Sequence, residues 1–167
     1  DGIRELFTKH GVTTLGEITE TLEGAQAITD AAADGEIGTR IQLYLWAPGT
    51  MPIEHALDWP SHLEVPAGHD RIGVAGVKIF TDGGFSGRTA AMITPYVEEY
   101  ALTPGSMGDM AMSEERMRDW LARILDAGLE PIVHTCGERA QRILAQILVE
   151  MGYGEQSPVR GRSEDSP

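Results

Sequence analysis

The chain is short of three things, and each shortage closes off a class of protein. It has one cysteine, Cys136, among 167 residues. That excludes an internal disulfide framework and a cysteine-rich structural zinc site, and it fits a reducing, cytoplasmic setting. Its 13 basic residues stand against 26 acidic ones, a formal net charge of −13. Such a balance repels phosphate backbones and makes nucleic acid and anionic membranes poor partners. No apolar run approaches the roughly 20 residues that span a bilayer, and no signal-peptide pattern opens the chain. The opening Asp1-Gly2-Ile3-Arg4-Glu5 has no initiator methionine and reads as the middle of a helix, so a truncated start is expected.

What is present is ordinary globular material, 41% apolar and 23% charged, enough for one domain with a core. Residues 1–10 read as the end of a helix with Gly11 as its left-handed cap, and 12–18 as a short strand. A helix is expected over about 22–34, stopped by Gly35, and a strand buried on both sides over 40–46. The proline- and histidine-bearing stretch 47–71 reads as an irregular excursion, and strand 74–80 follows, then a glycine-rich turn and a second long loop. Ser113 is placed to cap a helix on which Met117, Trp120, Leu121, Ile124 and Leu125 share one face. Gly128 ends it, 129–134 is a strand, and a last helix covers about 138–151. The polar tail 154–167 contains no element.

This alternation predicts an α/β fold of parallel strands with helical crossovers. No fingerprint of the GxGxxG or GxxxxGK type follows any strand, and polar groups recur at strand ends. Both features favour a (β/α)8 barrel over a doubly wound sheet. Four strands cannot close a barrel, which typically takes about 250 residues. The expectation is therefore a partial barrel over 1–153.

Two polar residues interrupt apolar strands. Lys78 lies within Val74-Ala75-Gly76-Val77-Lys78-Ile79-Phe80, and His134 ends Pro131-Ile132-Val133-His134. An ammonium is costly to desolvate, so Lys78 is either paired, with Asp82 or Glu17 as partner, or kept for its chemistry. A neutral amine there could attack a carbonyl as a Schiff-base lysine, or take up carbon dioxide as a carbamate. His134 is a candidate metal ligand beside it. In Asp82-Gly83-Gly84-Phe85-Ser86-Gly87-Arg88-Thr89-Ala90, Asp82 could orient Lys78 or another group at the site, and Arg88 could anchor the loop on a carboxylate. Cys136 reads as a small buried filler, and Glu138 as a helix-dipole partner.

Gly76-Val77-Lys78-Ile79-Phe80-Thr81-Asp82-Gly83, followed by Gly87-Arg88-Thr89-Ala90, resembles a segment of the YtcJ-like metal-dependent amidohydrolases. Val133-His134-Thr135-Cys136-Gly137-Glu138-Arg139-Ala140 resembles a second, and Gly11-Val12-Thr13-Thr14 a third, all in order over about residues 3–153. The resemblance implies strands two to five of a hydrolase barrel. It implies Lys78 as a carboxylated metal ligand and His134 as a direct ligand to one or two divalent ions, zinc above all. The activity implied is hydrolysis of a small-molecule, non-peptide C–N bond, in which the ion activates water and polarises the carbonyl. The family's His-x-His pair belongs upstream of Asp1, and its last-strand aspartate beyond Pro167. Its third histidine ligand aligns with Asp165, and Glu138 replaces its usual aspartate. The piece alone is accordingly expected not to catalyse, and an oligomer is compatible with its open edges. The alternatives are a Schiff-base lyase built on Lys78, or an inactive remnant.

Overall fold

The structure is a computed structural model and describes residues 2, 4–66 and 71–153. After one π-helical turn at Arg4–Thr8, the chain runs β1 (Thr14–Thr19), α1 (Leu22–Ala33), β2 (Arg40–Trp46) and α2 (Ile53–Leu57). A 3₁₀ turn at Trp59–Ser61 leads to β3 (Ile72–Phe80), α3 (Glu114–Asp126), β4 (Glu130–His134) and α4 (Glu138–Glu150). The expected β/α alternation is present, and β2 has the bounds that its residue types predict. The stretch expected to be irregular contains α2 and the 3₁₀ turn.

Local chemistry sets the ends of these elements. The Thr21 hydroxyl accepts from the Gly24 amide at 3.0 Å, which satisfies one open donor at the start of α1. The Ser113 hydroxyl does the same for the Arg116 amide at 3.3 Å ahead of α3. Gly128, at φ 74°, ends the turn after α3 in a backbone conformation that costs other residues roughly 1–2 kcal/mol.

The four strands form one sheet in the order β1-β2-β3-β4, and each neighbouring pair is parallel. Parallel neighbours cannot be joined by a tight hairpin, so every connection must cross over, and the long segments between strands do this. Cross-strand partners share a face, which divides the sheet cleanly. Ile41, Leu43 and Leu45 of β2 and Val77 and Ile79 of β3 are all buried and lie on one face. Tyr44, Trp46, Gly76, Lys78 and Phe80 lie on the other.

The chain divides into two compact units. The first is Asp1–Phe80 with Asp119–His134, and it contains the whole sheet. The second is Thr81–Arg118 with Thr135–Pro167, and it contains the loop after β3 and helix α4. The boundary falls within α3, whose Met117, Leu121 and Ile124 are fully buried as its periodicity predicts. Among the described residues no helix is long and apolar enough to cross a membrane.

Candidate functional site

Register brings the two polar intruders together. Lys78 pairs with Trp46 on one side and with Ile132 on the other, and Phe80 pairs with His134. These residues therefore project from one face, near the C-terminal ends of three adjacent strands. Lys78 is 8% exposed, and its Nζ stands 4.7 Å from the centre of the Phe80 ring. The negative face of the ring favours an ammonium by about 0.5–2 kcal/mol, rising with desolvation. The His134 ring stacks on the same phenyl group at 4.6 Å and 30°. Trp46 meets it at 4.7 Å and 36°. The sequence reading missed the part of Phe80. The available signal was its position two residues after Lys78, which puts both on one side of a strand.

Glu17 is placed differently from the expectation. It pairs with Leu43, and so lies on the face opposite Lys78. The cause is register: β1 ends at Thr19, so Glu17 sits inside the strand, and alternation sends it to the other side.

Asp82, in the second unit, is 2% exposed. Its Oδ2 accepts from the Ala91 amide at 2.9 Å and the Gly137 amide at 2.7 Å. Its Oδ1 accepts from the Cys136 amide at 2.9 Å. One buried carboxylate thus joins the loop after β3 to the approach to α4, and its negative charge sits at the positive end of that helix. This stapling is what the structure shows of Asp82.

The other expected residues of this unit fare unevenly. Arg88 makes no ion pair among the described residues, so the carboxylate anchor expected for it is not formed. What marks it is its backbone, at φ 55°, with its amide donating to the Phe85 carbonyl at 3.0 Å. Cys136 is half-buried where a buried filler was expected, and its amide donates to Asp82. Glu138 also does more than face the helix dipole, since its Oε2 accepts from the Ile93 amide at 3.3 Å. Asp165 lies outside the described residues, as does the tail 154–167.

Below the Lys78 row, on the same face, the Tyr44 hydroxyl donates to Oε2 of Glu130 at 3.0 Å. Burial holds the Tyr44 phenol above its ordinary value, and the bond to the Glu130 carboxylate and that group's charge add to the effect.

The donor set suits a cation only in part. A neutral imidazole is a metal ligand as it stands. An ammonium is not, and becomes one only by losing its proton or by carboxylation. A catalytic zinc takes three protein ligands, and the described residues contain no group of three or more His, Cys, Asp or Glu able to hold an ion. An ion held at this face would need ligands beyond Lys78 and His134.

No protein-family model matches the chain, and no curated protein matches it. Among solved structures, it is similar to an uncharacterised metal-dependent hydrolase from Pyrococcus horikoshii OT3, with a TM-score of 0.71 and 21% identity. That match covers 90% of this chain and 29% of the other. An uncharacterised metal-dependent hydrolase from Pyrococcus furiosus gives a TM-score of 0.62 at 23% identity, over 84% of this chain and 27% of that one. Likeness at this identity is a likeness of fold, and the chain spans less than a third of either protein.

Proposed function

We propose that this chain is part of a metal-dependent hydrolase acting on non-peptide, amide-type C–N bonds of a small molecule. Residues 1–153 would form about the second to fifth strands of its (β/α)8 barrel. The observation that carries the reading is Lys78 and His134 against one phenyl ring, on one face of adjacent parallel strands. The fold is shared with two proteins named metal-dependent hydrolases. The strand order supports the barrel. It runs β1-β2-β3-β4 without the reversal at which a doubly wound sheet places its ligand.

In this reading His134 offers an imidazole nitrogen to a divalent cation, with zinc the best match to that donor. Lys78 joins it as a carbamate. Its neutral amine attacks the carbon of carbon dioxide, the nitrogen gives up a proton to water, and the product presents two oxygens that share one negative charge in place of a cation. Burial of Lys78 favours the neutral amine that this step needs, because a desolvated ammonium is costly. When bound, such an ion supplies carbonyl polarisation and activated water at neutral pH. The remaining ligands and the general base come from elsewhere in the assembled protein.

Zinc titration of the chain, with and without ¹³C-bicarbonate, tests the proposal. Wild type should bind zinc and show a carbamate carbon signal. Lys78→Ala should abolish that signal, and each of Lys78→Ala and His134→Ala should weaken zinc binding by about tenfold or more. Equal binding by all three proteins would refute the ligand roles. Borohydride trapping of Lys78 with a carbonyl compound would point to the Schiff-base lyase instead.

A further inference from the structure

The three rings and one ammonium on the sheet face raise a question that ligand chemistry alone leaves open. A lysine head hangs on four rotatable carbons, and an imidazole turns freely about its last torsion. Two such groups act together only if something holds them. Phe80 is in contact with both. The Lys78 Nζ stands 4.7 Å from its ring centre, and the His134 ring lies 4.6 Å away at 30°. Trp46, from the strand on the far side, meets the same ring at 4.7 Å. In sheet order the phenyl group is therefore flanked by Trp46 of β2 and His134 of β4.

We infer that Phe80 is a positioning residue. Its π-face seats the Lys78 head and fixes the plane of the His134 imidazole, while Trp46 keeps the phenyl ring from turning away. A ring that merely filled space would be replaceable by any apolar side chain of similar bulk. A ring that seats a cation and stacks an imidazole needs an aromatic face. The cation seat belongs to the uncarboxylated Lys78, so the consequence for metal capture runs through the stacked His134 ring and rests on the function proposed above, whereas the seating itself does not.

The test compares wild type, Phe80→Leu and Phe80→Tyr in the full 167-residue chain. Two readouts are used: zinc affinity, and NMR relaxation of the His134 ring, which reports whether the imidazole is held. Phe80→Leu should loosen the ring relative to wild type and weaken zinc binding by about tenfold, the scale on which groups that orient ligands act. Phe80→Tyr should keep the ring held and the affinity within about twofold, an aromatic rescue that simple packing does not predict. Should Phe80→Leu fail to fold, Phe80→Met keeps the bulk without the aromatic face and is read in the same way. Tight zinc binding that is equal in wild type and Phe80→Leu overturns the positioning role and leaves the metal reading intact. No zinc binding in wild type, with a ring freed by leucine and held by tyrosine, supports the positioning role and sinks the metal reading for this chain. No zinc binding and an imidazole indifferent to residue 80 overturns both.

Discussion

Asp82 offers the sharpest test of the energetics. Its carboxylate, 2% exposed, accepts three backbone amides at 2.7–2.9 Å. Two of those bonds, from Ala91 and Gly137, lie between buried groups, while that from the half-buried Cys136 can be replaced by water. Asp82→Ala strands two buried donors at about 1–3 kcal/mol each, so the expected loss is roughly 2–6 kcal/mol. That is a large share of the 5–15 kcal/mol typical of a domain. Asp82→Asn is the more informative variant. Its amide oxygen can still serve Ala91 and Gly137, but without the charge that roughly doubles such bonds, and its NH2 group confronts the Cys136 amide. The expected cost is about 1.5–3 kcal/mol. Amide hydrogen exchange reads this locally, since each 1.4 kcal/mol is about a tenfold change in opening. The Ala91 and Gly137 amides should exchange about ten- to a hundredfold faster in Asp82→Asn. Rates within about twofold of wild type at both amides would refute the reasoning.

Further predictions follow from the same contacts. A Cβ at Gly137 would sit 2.0 Å from the Ala91 carbonyl oxygen, so Gly137→Ala must displace backbone and should cost about 3 kcal/mol in urea unfolding. Gly128→Ala meets nothing within 4 Å and carries only the strain of φ +74°, about 1 kcal/mol; equal losses for the two glycines would contradict the clash argument. Tyr44→Phe removes the 3.0 Å bond to Glu130 and should cost about 1 kcal/mol at neutral pH. Because the folded phenol is held above its ordinary value of 10.0, its contribution is complete below that pH and is lost as pH rises through the folded value. The stability gap between wild type and Tyr44→Phe should therefore close on the alkaline side, and a gap that stays constant above pH 10 would count against the assignment.

Much of the fold is legible in residue order because it depends on local periodicity. Met117, Leu121 and Ile124 recur at helical spacing and are the residues buried from α3. Lys78 stands out as a charge in an apolar strand, and two-residue alternation alone puts Phe80 beside it on one face. Glu17 shows where such reading stops. It lies near a strand end in sequence, yet one residue of register decides its side of the sheet, and only pairing with Leu43 reveals which. Asp82 shows a second limit. Its partners are backbone amides, which every residue except proline carries, so no side-chain pattern announces them.

The sequence by itself determined the α/β class, the four strands and the three longer helices α1, α3 and α4, and the two polar residues that no core requires. Those follow from side-chain hydrophobicity and its period, properties of neighbours along the chain. Tertiary structure alone decided that Lys78 and His134 share the Phe80 ring, that Glu17 faces away from them, and that Asp82 holds the approach to α4. Each of these depends on register between strands or on hydrogen bonds from distant backbone amides to one carboxylate. Those are relations among residues 9 to 56 positions apart, and they come into being only when the chain closes on itself.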